Sequence, residues 1–287
     1  MATTSSLPAA PAAASSAALE TAISETNAKE SANGVDQTGA DQSTTSVNGA
    51  EDADDSIRTV FTDPENFNVK HPLFHNWTLW FDNPSAKGLS VKTPGGKDSW
   101  GEDLNKVVDF DSVEEFWGLY NNVIPPSALP QKANYYLFKE GIKPAWEDPA
   151  NTNGGKWSIQ LPRDKSKAGI DRLWLYTMLA AIGETLESQT PADTSDPNPD
   201  IVTGVIMSAR PSFYRISIWT RKAEDPVEEA APGSIGRHLL DIGQHFKTQI
   251  LGYDLHQKVS HAGGLTSEVE FQSHKESEKK KGKKFVI

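Results

Sequence analysis

The sequence of 287 residues contains no cysteine, and this absence excludes several kinds of chemistry at once. Disulfide scaffolds, thiolate zinc sites, iron–sulfur clusters and thiol nucleophiles all require cysteine. Apolar runs are also short, since none approaches the ~18 residues that a membrane-spanning helix needs. No basic stretch followed by an apolar one opens the chain, so we expect no secretory signal. These absences favour a cytoplasmic protein, with a nuclear location as an alternative.

Recognisable catalytic motifs are missing as well. The sequence has no Walker-type phosphate loop, no dinucleotide-binding glycine pattern, no His-Glu-x-x-His and no Gly-x-Ser-x-Gly. Two Gly-Gly-Lys segments, ending at Lys97 and Lys156, lack the rest of a phosphate loop, and we interpret both mainly as turns. His71 and His75 have no evident third ligand. We therefore expect no metal, no cofactor and no enzymatic activity.

Negative charge is concentrated at the beginning of the chain. The net charge is −11, but residues 1–57 hold nine acids and one base, which leaves −3 for the other 230 residues. The same 57 residues contain no aromatic side chain, and 30 of them are Ala, Ser or Thr. Such a segment cannot bury enough apolar surface to offset the entropy of ordering. We predict a disordered acidic tail at 1–57 and one folded domain at 58–287.

A basic run lies near the other end, and its members are Lys275, Lys279, Lys280, Lys281, Lys283 and Lys284. Runs of like charge are usually solvated segments, so we interpret this run as a lysine-rich C-terminal loop. An arm that faces phosphate groups is the alternative. The nearly neutral domain argues against extended, non-specific binding of nucleic acid, which needs a basic stripe. Recognition of a single nucleotide remains compatible with this charge balance.

Strand and helix patterns are interleaved along the domain. Stretches rich in β-forming residues predict strands at 77–81, 104–109, 135–139, 156–161, 202–210 and 213–220. Helical periodicity indicates three helices, from Ser112, which has capping-box spacing with Glu115, to about Val123, from Asp171 to about Glu187, and from Ser234 to about Leu251. Most connections between strands are too short for parallel crossovers. This favours an α+β domain with a curved antiparallel sheet and helices on one face.

All eight tryptophans lie between Trp77 and Trp219. Four of them fall within strand or helix patterns and are predicted to pack in the core, namely Trp77, Trp80, Trp157 and Trp174. Trp100 and Trp146 lie instead in polar, proline-containing loops. Large aromatic side chains on such loops either contact a ligand or fold back over the core as a lid, and spacing alone leaves both readings open.

The loop residues indicate which ligand would suit them. Two parallel indoles can hold a planar ring between them, and a positive charge on that ring strengthens the stacking. Beside Trp146, the Glu147 carboxylate can accept hydrogen bonds from two adjacent N–H groups, a pattern that guanine presents at N1 and N2. Methylation of guanine at N7 creates the positive charge that stacking and the carboxylate both favour.

The predicted strand at 213–220 adds basic groups. Alternation along this strand places Arg215, Ser217 and Trp219 on one face, and Arg210 ends the preceding strand. Two arginines near one polar face can bind a phosphate chain. A solvated sheet face is the alternative interpretation.

Two helices carry apolar residues beyond a normal core stripe. On the first, apolar residues span an arc of about 160°, with Val113 and Trp117 at its edge. On the second, Leu175, Leu179 and Gly183 form a row beside the row predicted to be buried. Either the core face is broad, or a partner contacts these edges.

Together these residues resemble eukaryotic translation initiation factor 4E, the family that binds the messenger RNA cap. The resemblance covers roughly residues 70–253 and rests on joint spacing, including all eight tryptophans. The matching motifs are His71-Pro72-Leu73, Trp77-Thr78-Leu79-Trp80-Phe81, Phe116-Trp117-Gly118, Lys143-Pro144-Ala145-Trp146-Glu147-Asp148, Gly154-Gly155-Lys156-Trp157, Asp171-Arg172-Leu173-Trp174-Leu175, Ile182-Gly183-Glu184, Ile216-Ser217-Ile218-Trp219-Thr220 and Ile235-Gly236-Arg237. The resemblance implies a curved eight-stranded antiparallel sheet backed by three helices on its convex face.

The resemblance also implies a cap-binding site. Trp100 and Trp146 match the two indoles that sandwich 7-methylguanine, Glu147 matches the carboxylate that reads guanine, and Trp219 matches the residue that touches the N7 methyl group. Basic positions for the triphosphate bridge are matched by Arg210, Arg215 and, with a weaker role, Lys156.

A second implied surface, on the helical side, receives Tyr-x-x-x-x-Leu-hydrophobic helices of the scaffold, translation initiation factor 4G, and of repressor proteins. Its matching residues are His71, Pro72, Leu73, Val113, Trp117, Leu175, Leu179 and Gly183. Tyr176 departs from the family, because many relatives carry an acid there. We thus expect a monomeric receptor that recruits capped messenger RNA to the scaffold. One alternative is a cap-binding repressor of the same family. It is disfavoured because such members often replace one of the tryptophans that match Trp77 and Trp100, and this sequence retains both. The other alternative is a cap-hydrolysing enzyme.

Overall fold

The structure, a computed structural model, describes residues 57–59, 61–63, 65–84, 104–187, 200–227, 231, 233–259, 268–277, 279 and 282–287. These residues all belong to one compact unit, Ser56–Ile287. The predicted acidic tail lies outside the described residues except for Ile57, and so does Trp100. Both therefore stay predictions.

Eight strands form one sheet. They are β1 (Pro72–Asp82), β2 (Asn105–Ser112), β3 (Asn134–Lys139), β4 (Gly155–Pro162), β5 (Val202–Ala209), β6 (Phe213–Thr220), β7 (Glu270–Ser273) and β8 (Phe285–Val286). Their order is β2-β1-β3-β5-β6-β4-β7-β8, and every neighbouring pair is antiparallel. The predicted curved antiparallel sheet is confirmed, and its six predicted strands are β1 to β6. The lysine-rich segment was predicted to be a loop, and it connects β7 to β8, two strands that the sequence patterns did not predict.

Helices cover one face of the sheet. They are α1 (Val113–Asn122), α2 (Arg163–Ser166), α3 (Ile170–Ile182), α4 (Ile235–His245) and α5 (His274–Ser277), with a 3₁₀ turn at Pro126–Ala128 and a π-helical turn at Phe246–Ile250. The three longest, α1, α3 and α4, are the predicted helices, and all three contribute side chains to the same core. None of the described helices is both long and apolar enough to cross a membrane.

Helix α3 ends earlier than predicted. Its last residue is Ile182, whereas the apolar pattern predicts an end near Glu187. Gly183 is the C-cap, and Glu184 follows with a φ of 53°, in the left-handed region. A residue in this conformation ends the helix, because the next carbonyl groups no longer point along the axis.

The predicted capping box at the start of α1 is wrong. Ser112 is the N-cap, but its hydroxyl is buried and has no hydrogen-bond partner among the described residues. The Glu115 carboxylate accepts a hydrogen bond from the Asp111 amide at 3.1 Å instead. Strand β2 runs directly into α1, so the Val113 amide donates to the His71 carbonyl, at 2.9 Å, outside the helix.

Tryptophans occupy both faces of the sheet. Trp77, Trp157 and Trp174 are buried in the main core between sheet and helices, as predicted. Trp80 was predicted to join them, but it packs, half-buried, against a second cluster that includes Trp219. The reason is the two-residue alternation along β1, which turns Trp77 toward the helices and Trp80 away from them.

A glycine sets the distance between α4 and the sheet. A Cβ atom on Gly243 would lie 2.4 Å from Cζ2 of the Trp157 indole. That indole is fully buried, and its Nε1 donates a hydrogen bond to the Leu239 carbonyl of α4 at 2.8 Å. The ring therefore has no room to move away without losing this bond.

We expect Gly243→Ala to destabilise the domain by about 1–3 kcal/mol, because the added methyl group overpacks a closed core. Gly118→Ala is the matched control, since Gly118 lies in α1 with nothing within 4 Å of its added Cβ. Alanine there should be neutral or stabilise the helix by up to ~1 kcal/mol. Urea unfolding measures both. Equal stabilities of the two variants would contradict the close approach.

Candidate functional site

Trp219 lies at the centre of the sheet face that the helices do not cover. Along β6, Tyr214, Ile216 and Ile218 enter the main core, whereas Trp219 joins the second cluster, so the predicted alternation is confirmed. The Trp219 ring meets Phe138 edge-on, with centroids 5.6 Å apart. It is largely buried, so its orientation is set before any ligand arrives.

Basic side chains flank this tryptophan. Lys156 of β4 is the cross-strand partner of Trp219, and Arg215 lies four residues earlier on β6. Burial lowers the pKa of Lys156, and repulsion from Arg215 and Lys284 lowers it further. Burial likewise lowers the pKa of Arg215, together with repulsion from Arg210, while Glu270 opposes this shift. Gathering half-buried cations costs free energy, and a polyanion placed among them would relieve that cost.

Arg210 completes the basic group just beyond β5. Its guanidinium donates a hydrogen bond to the Ala209 carbonyl at 3.1 Å. The guanidinium of Arg163 bonds the Arg210 carbonyl at 3.0 Å, which fixes the turn. The structure thus brings together the three predicted phosphate-binding residues, Arg210, Arg215 and Lys156.

The loop that carries Trp146 is built around one buried side chain. Asn151 is fully buried, and its amide nitrogen donates hydrogen bonds to the carbonyls of Lys143 and Ala145, both at 2.9 Å. Its amide oxygen accepts a hydrogen bond from the Thr203 hydroxyl of β5 at 2.8 Å. Asn151 therefore ties the loop to the middle of the sheet. Sequence reasoning missed it, because a polar residue among turn residues gives no burial signal.

Trp146 and Glu147 stand on the outside of this loop. Trp146 is 41% exposed, so it does not fold back as a lid. Thr152 stabilises the loop backbone, since its hydroxyl donates a hydrogen bond to the Trp146 carbonyl at 3.1 Å. Glu147 is exposed, and its carboxylate makes no hydrogen bond or ion pair with another described residue. Both side chains are available to a ligand, although Trp100, the second predicted indole, lies outside the described part.

His274 is a site residue that sequence reasoning missed. Its ring packs against Trp219 with centroids 4.3 Å apart, and its amide donates to the Gly154 carbonyl at 3.0 Å. Burial, reinforced by the nearby Lys156 ammonium, lowers the pKa of His274 to about 4. His274 is therefore neutral at pH 7. His274 directly follows the four-residue strand β7 and begins the short helix α5 beside the lysine run, so no periodic pattern in the sequence marks it as buried.

The second predicted surface lies on the helical side. The His71 imidazole and amide both contact Glu114 of α1, at 2.6 and 2.9 Å, so the start of β1 is fastened to this helix. Pro72 and Val113 are exposed, Leu73 is half-buried, and Trp117 is 38% exposed although it lies in an apolar helix face. These exposures agree with the predicted edge of the apolar arc.

Helix α3 supplies the other half of this surface. Leu175 and Leu179 are half-buried and Gly183 is exposed, beside a buried row formed by Trp174, Met178 and Ile182. A Cβ on Gly183 would lie 2.9 Å from the Leu179 carbonyl oxygen.

An ionic network links the two halves. His75 of β1 contacts Glu184 and Asp200, each at 2.8 Å through a different ring nitrogen. The buried Lys139 ammonium contacts the same two carboxylates at 3.3 Å. His71 and His75 are thus engaged with acids, and the described residues contain no cluster of three or more His, Asp or Glu side chains suited to a metal ion.

One known protein family matches most of the chain. The family model described as eukaryotic initiation factor 4E matches residues 72–286. The chain is 38% identical to eukaryotic translation initiation factor 4E-1 of Schizosaccharomyces pombe over 232 residues, which are 80% of this chain and 87% of that protein. It is 37% identical to eukaryotic translation initiation factor 4E of Candida albicans over 199 residues, 69% of this chain and 86% of that protein.

Solved structures give the same result. Ascaris suum eIF4E-3, in complex with an m2,2,7G cap, matches with a TM-score of 0.56 and 30% identity over 76% of this chain and 99% of that chain. Caenorhabditis elegans eIF4E-3, in complex with the 4E-binding protein Mextli and a cap analog, matches with a TM-score of 0.54 and 28% identity over 76% of this chain and 100% of that chain.

The depressed pKa of His274 predicts a loss of stability in acid. The unfolded chain takes up the histidine proton near pH 6.5, whereas the folded protein does so only near pH 4. Between these values the unfolded state binds more protons, so stability falls as pH falls, by about 3 kcal/mol at pH 4. We expect His274→Gln to lack this component. Urea unfolding of both proteins from pH 7 to pH 4 measures it, and a constant difference between them would contradict the burial of a neutral imidazole.

Proposed function

This chain belongs to the eukaryotic initiation factor 4E family, and on this premise we propose that it binds the 7-methylguanosine cap of messenger RNA and recruits that RNA to translation initiation. The single observation that carries the proposal is the open sheet face, where Trp219 is flanked by the half-buried cations Lys156 and Arg215. An aromatic centre with adjacent positive charge suits a planar base joined to a phosphate chain.

Recognition of the base rests on the loops. Trp146, with Trp100 from the segment outside the described residues, would stack on the two faces of 7-methylguanine, whose positive charge strengthens the attraction. Glu147 would accept hydrogen bonds from guanine N1 and N2. Trp219 would contact the N7 methyl group at the edge of the ring. Because the Glu147 carboxylate has no described protein partner, it needs no rearrangement to accept these bonds.

Recognition of the phosphates rests on the basic group. Arg210, Arg215 and Lys156 lie along one side of the sheet face, and their mutual repulsion supports a site for the triphosphate bridge. Arginine can bind phosphate oxygens through two parallel N–H donors, which fixes the direction of the chain.

Recruitment would use the helical surface. We assign His71, Pro72, Leu73, Val113, Trp117, Leu175, Leu179 and Gly183 to a site for the Tyr-x-x-x-x-Leu-hydrophobic helix of the 4G scaffold and of repressor proteins. Exposed Trp117 and Val113 supply apolar contact area. The protein would act as a monomer in the cytoplasm. A cap-binding repressor remains the second candidate, because the retained Trp77 and Trp100 only disfavour it.

Retention on 7-methylguanosine resin tests the cap site. The protein should be eluted by 7-methyl-GTP and not by GTP, because only the methylated base is cationic. Trp146→Ala should weaken cap binding by about 5- to 140-fold, given ~1–3 kcal/mol for stacking on one aromatic ring. Its thermal unfolding should change little, since the side chain is 41% exposed. Equal elution by GTP, or unchanged retention of the variant, would overturn the assignment.

Trp117→Ala tests the recruitment surface and is the matched control for Trp146→Ala, because the two indoles are similarly exposed, at 38% and 41%. A buried aromatic anchor contributes about 2 kcal/mol or more to a protein interface, so binding of a Tyr-x-x-x-x-Leu-hydrophobic peptide should weaken by ~30-fold or more. Cap binding should be unchanged. Isothermal titration of each variant with peptide and with 7-methyl-GTP measures both; loss of both activities in one variant would count against two separate sites.

A further inference from the structure

A cavity of about 560 Å³ lies at the edge of the sheet, between helix α4 and strand β8. Its volume is typical of a site for a small molecule, since such sites usually measure ~300–1,000 Å³. Leu240 and Gln244 of α4 form one part of the lining, and Phe285 and Val286 of β8 form another. The described lining residues belong neither to the cap site nor to the recruitment surface proposed above.

One residue in the lining of this cavity is a buried cation. Lys247, in the π-helical turn that follows α4, is only 2% exposed. Its ammonium group donates a hydrogen bond to the Leu255 carbonyl at 2.7 Å and forms no ion pair with an acid in the described part of the chain. An ammonium group has three donors, so two of them still lack a described protein acceptor. Burial of a charge without a counter-ion costs free energy, and an anion bound in the cavity would recover part of that cost.

The rest of the lining determines which kind of anion fits. Apolar side chains from α4 and β8 face the cavity, so a hydrocarbon body can be buried there. Glu268 is the acid among the described lining residues, and its carboxylate accepts a hydrogen bond from the Val259 amide at 3.4 Å. Exposed Lys258 lines the cavity as well, so Lys247 and Lys258 together exceed Glu268 by one positive charge when His256 is neutral. This balance favours an anion of low charge over a polyphosphate.

We propose that this cavity binds a small amphipathic carboxylate, whose charged group pairs with Lys247 and whose hydrocarbon body packs between α4 and β8. One carboxylate matches one buried ammonium group, and hydrogen bonds between charged partners are stronger than those between neutral ones. Such a ligand would connect α4 to the two-residue strand β8 and stabilise the folded domain by mass action. The inference is independent of the proposed cap-binding function.

The test compares octanoate with octanamide, which has the same hydrocarbon chain but no charge. Titration calorimetry of the full chain at pH 7 measures the affinity for each compound. Octanoate should bind more tightly by about 12- to 140-fold, as expected of a hydrogen bond to a charged group. In methyl NMR spectra of the same titration, signals of Leu240, Leu255 and Val286 should shift. Those of Val107 and Val108, exposed residues of β2, should not.

Two variants test the residues of the site. Lys247→Met keeps an apolar stem and removes the charge, so its affinity for octanoate should fall to that for octanamide. Lys167→Met, which removes an exposed lysine outside the cavity, is the matched control and should bind octanoate as the natural protein does. Should Lys247→Met fail to fold, Val286→Trp fills the cavity from a position that is 49% exposed and should abolish binding of both compounds.

Three results would overturn the proposal. The first is no saturable binding of octanoate, or methyl shifts confined to residues outside the cavity. The second is equal affinity for octanoate and octanamide, because the ammonium group would then not pair with the ligand. The third is an unchanged affinity of Lys247→Met for octanoate, which would limit Lys247 to its bond with the Leu255 carbonyl.

Discussion

Along β6, successive side chains point to opposite faces of the sheet, and this alternation decides what each face can do. One face packs against the helices through Tyr214, Ile216 and Ile218, and the other face carries Arg215 and Trp219. A shift of one residue in the pairing of β6 with β4 or β5 would bury the arginine and expose the isoleucines. The shifted arrangement would lose much buried apolar area, and this cost maintains the observed register. The geometry of the proposed site is therefore maintained by the core on the opposite face.

The two proposed surfaces lie on opposite sides of the sheet but depend on it differently. The proposed cap-binding surface consists mainly of strand residues and one loop, whereas the proposed recruitment surface consists of residues from β1 and two helices. The His75 network, with Glu184, Asp200 and Lys139, fastens the end of α3 to β1 and β3.

Periodicity and residue type were sufficient to predict β1 to β6, the three longest helices and the two faces of β6. They failed where a neighbour in space decides the outcome. The capping-box spacing at Ser112 did not reveal that β2 runs straight into α1. The apolar pattern beyond Ile182 did not show that Glu184 adopts a left-handed conformation. Trp80 is a different case, because the alternation along β1 that places it on the face opposite to Trp77 is visible in the sequence itself. Asn151 and His274 escaped notice because burial of a polar side chain depends on contacts distant in sequence.

The buried hydrogen bonds of Asn151 have a consequence for the kinetics of ligand capture. Asn151 already fixes the backbone of the Trp146 loop through its bonds to Lys143, Ala145 and Thr203. The conformational entropy of ordering this side of the site is therefore lost once, during folding, and not at each encounter with a ligand. Encounters can then become productive without waiting for that loop, so electrostatic attraction by the nearby cations would govern the association rate. Differences in affinity among ligands would appear as differences in residence time.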